Sequence, residues 1–260
     1  MFKKLIYISL LTASLSLNVV ANADEEILKK NDPSQIKDCH EGINRTIFTL
    51  NKGLDNIIFK PVAKVYRTLP NPIRSGVSNS LDNLSNLVTI PNNVLQGEFR
   101  KAGTNTGRFV INTTVGILGF IDVAEKVGFE EYEKEDYGQS LAVQGVGPGC
   151  YLVLPVLGPS TVRDTASSLA NIIGGDAWYN VTVKNNTQHF EDSDYIVSRL
   201  SAGIDFRAKN IESFDNLEKN AVDFYASVKS LYLQDRQQKI LNSNGIIEAM
   251  DDSDWDDIEN

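Results

Sequence analysis

The sequence predicts a mainly α-helical domain of amphipathic helices lying in one membrane leaflet and closed by a long C-terminal helix. Three observations lead there. Apolar residues recur at steps of three and four in several segments, as one face of a helix requires. Beyond residue 23, no run approaches the ~18–20 uninterrupted apolar residues of a spanning helix. Finally, "GPGCYLVLPVLGPSTVRD" (147–164) is as apolar as a membrane segment but is broken by Gly147, Pro148, Gly149, Pro155, Gly158 and Pro159. Such irregular backbone is tolerated near lipid where it is buried in protein or lines a cavity.

In chain order, residues 1–23 carry a basic start (Lys3, Lys4), an apolar stretch and small residues at Ala21 and Ala23, the pattern of a secretory signal peptide. Residues 24–43 read as a polar N-terminal arm, with Asp32-Pro33 as a turn. The helical domain is expected over 44–241. Its first helix is marked by Ile47, Leu50, Leu54, Ile57 and Ile58, and Pro61 should end or kink it. Val77, Leu81, Leu84 and Val88 mark a second helix, expected to stop before Pro91. The small and β-branched residues from Gly103 to Ala124 favour a closely packed helix over a strand, because the run exceeds a typical strand length.

Thr161, with Asp164 three residues on, predicts a helix N-cap. Residues 177–187 suit a small β element or an irregular connection. Ile204, Ile211, Phe214, Leu217, Ala221, Phe224, Val228 and Leu231 then predict one long helix over about 200–241. Residues 242–260, ending "DDSDWDDIEN", are expected to be an acidic, disordered tail.

The formal net charge of −9 becomes more negative still once Lys3 and Lys4 leave with the signal peptide. That balance excludes nucleic acid as a partner, since the cationic field that neutralises phosphates is missing, and it favours a basic protein partner. Cys39 and Cys150 both fall in the exported part, so either a disulfide between them or two buried thiols is compatible with the sequence. The histidines are His40 and His189, and nothing in their spacing orients a base on a thiol or assembles a metal site. Gly145, Gly147 and Gly149 miss the spacing of a dinucleotide loop, and no G-x-S-x-G elbow occurs. No catalytic residue, cofactor or metal is therefore expected.

Six blocks, in order, carry a resemblance: "NRTIFTLNKGLD" (44–55) with "KPVAKVYRTLP" (60–70), "IPNNVLQGEF" (90–99), "GRFVINTTVGILGFIDVA" (107–124), "DYGQSLAVQGVGPGCYLVLPVLGPSTVRD" (136–164) and "DFYASVKSLYLQDRQQKI" (223–240). Together they resemble the MlaA (VacJ) family. The resemblance implies a ring-shaped helical protein in the inner leaflet of the Gram-negative outer membrane. It implies that mislocalised phospholipid passes from the outer leaflet through a central channel to a periplasmic carrier of the MlaC type. It also implies trimeric porins of the OmpC/OmpF type as partners, and no enzymatic step.

On that pattern Asn44, Arg45 and Asn51 form the first-helix motif, with capping and pairing inside the ring as the plainer role for Asn44 and Arg45. Arg108 and Asn112, four apart on one helix face, could line a polar side of the channel, or serve structure alone. Val153, Leu154 and Leu157 are candidates for its apolar lining. Arg163 is a candidate head-group contact, although an ion pair with Asp164 at a helix start explains it as well. Members usually carry a lipobox cysteine after the signal peptide; here no Cys precedes Cys39, so retention is expected to rest on amphipathic surface and porin contacts. Cys150 and Ser80 also depart from the usual Pro and Phe. A reading from another class is a porin-bound periplasmic adaptor without lipid passage.

Overall fold

The computed structural model describes residues 27, 29–130, 133–170, 179–180 and 191–243. The signal peptide, the tail beyond residue 243 and most of 177–187 lie outside the described residues. Of that last stretch, Tyr179 and Asn180 are described, and they are helical.

After a 3-10 turn at Pro33–Gln35, helix α1 runs Glu41–Leu54. Pro61 does not end it. The chain widens into a π turn over Asp55–Phe59 and continues as α2, Lys60–Tyr66. Proline lacks an N–H and its ring crowds the carbonyl one turn back; a wider turn relieves the crowding, and the first turn of α2 needs no N–H there. The turn is fastened at a distance: Arg207 donates to both Asp55 carboxylate oxygens (2.8 and 2.9 Å) and Lys60 to Asp215 (2.7 Å).

Helix α3 spans Asn71–Leu95 and carries Pro91 inside it, so the expected stop before that proline is corrected. Side-chain bonds hold the turns around it. Asn92 Nδ2 donates to the Val88 carbonyl (2.8 Å), Ser140 Oγ to Asn92 Oδ1 (2.7 Å), and the Glu135 N–H to Thr89 Oγ1 (3.2 Å). Helix α4, Phe99–Thr114, returns antiparallel to α3: Asn105 donates to Asn93 and Asn83 to Thr113, each at 2.9 Å.

The sequence runs α4 on to residue 124, but the chain reverses after Thr114. A Cβ on Gly116 would lie 2.2 Å from the Ile121 carbonyl oxygen, and Gly119 sits at φ +88°. Ile117 and Leu118 also adopt left-handed backbone, at φ 55° and 56°. The density of small residues thus encodes a tight reversal rather than a longer helix. Asp122 and Asp136 then cap α5 (Val123–Lys126) and α6 (Tyr137–Val143), accepting from the N–H groups of Glu125 and Gln139.

The broken apolar stretch is an antiparallel hairpin. β1 (Tyr151–Leu154) pairs with β2 (Gly158–Thr161) in the register Tyr151↔Thr161 to Leu154↔Gly158. The Asp164 N–H bonds Thr161 Oγ1 (3.2 Å), the predicted cap, and α7 follows over Val162–Ala170.

The single helix expected over 200–241 is three: α8 Asp192–Lys209, α9 Ile211–Asn220 and α10 Phe224–Ser243. Local side-chain bonds compete with the helix at each break. Asn210 Nδ2 returns to the Phe206 carbonyl (2.8 Å), and after extended Ala221 (ψ 134°) Asp223 accepts from the Ala226 N–H (3.2 Å) to start α10.

The apolar interior comes in small pieces. Tyr151, Val153, Tyr225 and Leu233 form one cluster, joined by Ile36, Ile47, Phe48 and Tyr232; Ala63, Ala208 and Ile211 form another. Among the described residues, buried polar side chains outnumber buried apolar ones, while α1, α2, the 115–121 reversal and α8 turn large apolar side chains outward. No described helix is long and apolar enough to cross a membrane.

Candidate functional site

Two places gather the singled-out residues. The first is the face where α3 packs on α4. Asn79, Asn83 and Asn86 step by four and three along α3, and Arg108 and Asn112 face them from α4. With Asp82, Asp122 and Glu125 they line a cavity of about 220 Å³. Arg108 is 3% exposed; its Nη1 donates to the Glu130 carbonyl (2.7 Å) and its Nη2 to Asp122 (2.5 Å). Asn112 donates to the other Asp122 oxygen (2.9 Å) and accepts from the Ala124 N–H (2.9 Å). One carboxylate thus fixes both α4 side chains and caps α5. Among the described residues, three buried polar atoms on this lining have no hydrogen-bond partner: Asn83 Oδ1, Asn86 Oδ1 and Arg108 Nε. A buried acceptor without a donor is costly, so such a cluster points to an occupant.

The apolar 115–121 reversal adjoins this cavity. Asn79 Nδ2 donates to the Phe120 carbonyl (3.4 Å), and a Cβ on Gly119 would lie 2.5 Å from the Asn83 Cβ. Val115, Ile117 and Leu118 are each about two-thirds exposed. A polar recess thus sits beside an exposed apolar lip.

The second place is the hairpin and its supports. Asn44 Nδ2 donates to the Tyr151 carbonyl (3.1 Å) while its Oδ1 accepts from the Val153 N–H (2.9 Å). Asn51, two turns on, repeats the pattern with the Leu154 carbonyl and the Val156 N–H, both at 2.8 Å. The two amides read the free edge of β1 as a neighbouring strand would. Arg45 bonds both Asp223 oxygens (3.2 and 2.6 Å) and Glu41 (2.8 Å), and lies 4.4 Å over the Tyr225 ring. Cys39 and Cys150 are joined in a disulfide, Cα atoms 5.7 Å apart, tying the N-terminal arm to the start of β1.

Of the apolar candidates, Val153 is 2% exposed inside the aromatic cluster, Leu154 is half-buried and Leu157 is 67% exposed at the hairpin turn. Arg163 is buried, and its guanidinium is committed to Asp164 (3.0 Å), Asn31 (2.7 Å) and the Val146 carbonyl (3.3 Å). Arg236 completes this network by bonding both Asp136 oxygens (2.6 and 2.7 Å) and Asp164 (3.0 Å), to which Tyr232 also donates (2.8 Å). Burial alone would raise both carboxyls; the Arg236 guanidinium outweighs it and holds Asp136 well below the ordinary carboxylate range, with Asp164 lowered too. The structure therefore brings Arg108 and Asn112 to an open recess and places Val153 and Arg163 in packed interior. The sequence reading missed Asn79, Asn83 and Asn86, whose own four-and-three spacing was the available signal.

Comparison with known proteins agrees with this architecture. The family model described as MlaA lipoprotein matches residues 36–239. A relative in Rickettsia bellii is 33% identical over 245 residues, covering 91% of this chain and 92% of its own. The intermembrane phospholipid transport system lipoprotein MlaA of Escherichia coli K12 is 34% identical, covering 75% of this chain and 74% of its own; that of Haemophilus influenzae is 30% identical, covering 93% of each. A solved structure from work on the structural basis for maintenance of bacterial outer membrane lipid asymmetry aligns with TM-score 0.65 at 32% identity, over 78% of this chain and 99% of the solved one. On this match in sequence and fold, the chain belongs to the MlaA family.

Proposed function

We propose that the protein moves phospholipid between membranes without making or breaking a bond. It takes mislocalised lipid from the outer leaflet of the outer membrane, passes it through a polar-lined route in a ring of helices, and delivers it to a soluble periplasmic carrier of the MlaC type. Trimeric porins of the OmpC/OmpF type hold it in the inner leaflet. The observation that carries the reading is the inverted distribution of side chains. Asparagine, threonine and arginine are buried between α3 and α4, while Ile57, Val65, Ile117, Leu118 and Leu157 face outward. Exposed apolar surface on this scale marks contact with an apolar environment, and a polar interior suits passage of head groups. The names of the E. coli and H. influenzae relatives support the same direction.

The test is twofold. Protein purified in detergent should retain phospholipid, and cells lacking it should show phospholipid at their surface. Leu157→Trp, at an exposed position that tolerates bulk, should partly reproduce the deletion if the hairpin turn borders the route. Normal outer-leaflet composition in the deletion strain, with porin association intact, would replace this reading with that of a porin-bound adaptor.

A further inference from the structure

We propose that the recess between α3 and α4 selects a phospholipid head group bearing a primary ammonium, that of phosphatidylethanolamine. This deepens the lipid-passage reading and rests on it. The lining has the two halves such a head group needs. Among the described residues no donor reaches Asn83 Oδ1 or Asn86 Oδ1, on side chains 4% and 2% exposed. Asp82, Asp122 and Glu125 line the recess with one cation, Arg108, whose Nη2 is already committed to Asp122, while Lys209 and Lys134 act on Asp82 from outside the lining. An ammonium brings N–H donors to the two carbonyls and a positive charge to the acids. Arg108 Nε, buried and without a partner among the described residues, is a donor for the adjoining phosphate.

Competing occupants fit less well. A metal ion needs several close anionic or imidazole ligands, and among the described residues no group of three His, Cys, Asp or Glu is placed to hold one. A choline head group carries charge but no N–H, leaving both asparagine oxygens unsatisfied, and a glycerol head group brings hydroxyls with net negative charge to an acidic lining. The cavity, about 220 Å³, is on the scale of a head group rather than a whole lipid. Acyl chains would then lie along Val115, Ile117, Leu118 and Phe120, the exposed apolar lip beside the cavity.

The full chain is reconstituted from detergent with an equimolar mixture of phosphatidylethanolamine, phosphatidylglycerol and phosphatidylcholine of identical acyl chains, and retained lipid is identified by mass spectrometry. Phosphatidylethanolamine should be enriched over phosphatidylcholine by roughly tenfold or more, the effect of satisfying even one of the two buried acceptors. Asn83→Leu with Asn86→Leu should bring that ratio near unity while the helical signal persists. Asn86→Asp, which keeps the acceptor, should preserve the enrichment and so separates recognition from folding. Glycerophosphoethanolamine at equal concentration should leave retained lipid in place; displacement by it would assign the recess to a free phosphoester and overturn the proposal. Retention in input proportions, or an unchanged preference in the double variant, would overturn the selectivity and leave lipid passage standing. No retained lipid at all would overturn both.

Discussion

Replacing Cys39 and Cys150 by serine should lower stability strongly while leaving the fold in place. The disulfide closes a loop of 111 residues, and the chain-entropy relation assigns such a loop about 4–5 kcal/mol, through restriction of the unfolded chain. The native contacts at the same point survive without it. The Tyr151 N–H still bonds the Lys37 carbonyl (2.8 Å), Asn44 still bonds Asp38 (2.7 Å), and Tyr225 still donates to Asp38. The loss should therefore appear in the melting temperature and not in the helical spectrum. For a chain of this size, roughly 2–4 °C per kcal/mol gives a fall of about 10–20 °C. The assay is circular dichroism in detergent, oxidised and with reductant, the bond verified by mass. Reduced wild type should melt with the double variant, and Cys39→Ser alone should match both. If oxidised wild type with an intact bond melts within about 2 °C of the double variant, the loop-entropy reasoning is refuted.

The Arg236 network should be the next most sensitive point. Arg236→Met leaves buried Asp164 with only Arg163 and Tyr232 as partners, so unfolding in denaturant should show a loss of about 3 kcal/mol, the low end for a broken buried pair. Because Asp136 and Asp164 are held below the ordinary carboxylate range, the stability they contribute is fully present above that range and lost as pH falls through their folded values. Wild-type melting should thus drop steeply below about pH 5, and the Arg236→Met profile should be flatter there. In Gly138→Ala, the new Cβ would lie 2.4 Å from Arg236 Nη2 and 2.5 Å from Asp164 Oδ1, so a loss of about 1–3 kcal/mol is expected from the same denaturant titration. Asn44→Leu, which strips the partners of the Tyr151 carbonyl and the Val153 N–H in the buried cluster, should cost about 3 kcal/mol, against about 1 kcal/mol for Asn51→Leu, whose Val156 partner reaches water.

Legibility in the sequence followed the range of the interaction. Periodicity located α1, α3 and the C-terminal helical region, run length alone indicated α4, and Thr161 with Asp164 marked the α7 cap because both lie within one turn. The same spacing logic put Arg108 and Asn112 on one face. Asn79, Asn83 and Asn86 escape it because apolar periodicity marks α3 by Val77, Leu81, Leu84 and Val88, whereas the buried stripe is largely polar. The roles of Asn44 and Asn51 were not readable, since their backbone partners lie more than a hundred residues away. Pro61 and Pro91 misled for a related reason. Local rules place a stop at each, but a π turn tied through Asp55 to Arg207, and the bonds of Thr89 to Glu135 and of Asn93 to Asn105, hold the helical turns around each proline from other elements.

The fold divides its energetics between two halves. Around the hairpin the chain is over-determined: a disulfide, two asparagine clamps and a buried arginine–carboxylate network converge within β1, β2, α6 and α10. Across α3 and α4 it is under-satisfied, with Asn83, Asn86 and Arg108 each retaining an unpaired buried atom on one cavity. A chain selected for stability alone would fill such positions with apolar residues, since replacing both partners of a buried polar contact is nearly neutral. Among the described residues unpaired buried atoms also occur in the hairpin half, on Tyr151, Gln139 and Arg236, so what distinguishes the recess is that three of them share one cavity, beside a reversal that holds Ile117 and Leu118 in left-handed backbone. The two sets should accordingly be separable by mutation: substitutions in the hairpin supports move melting without altering which lipid is retained, whereas Asn86→Leu alters retention, and Asn83→Leu does so while also lowering melting through loss of its bond to Thr113.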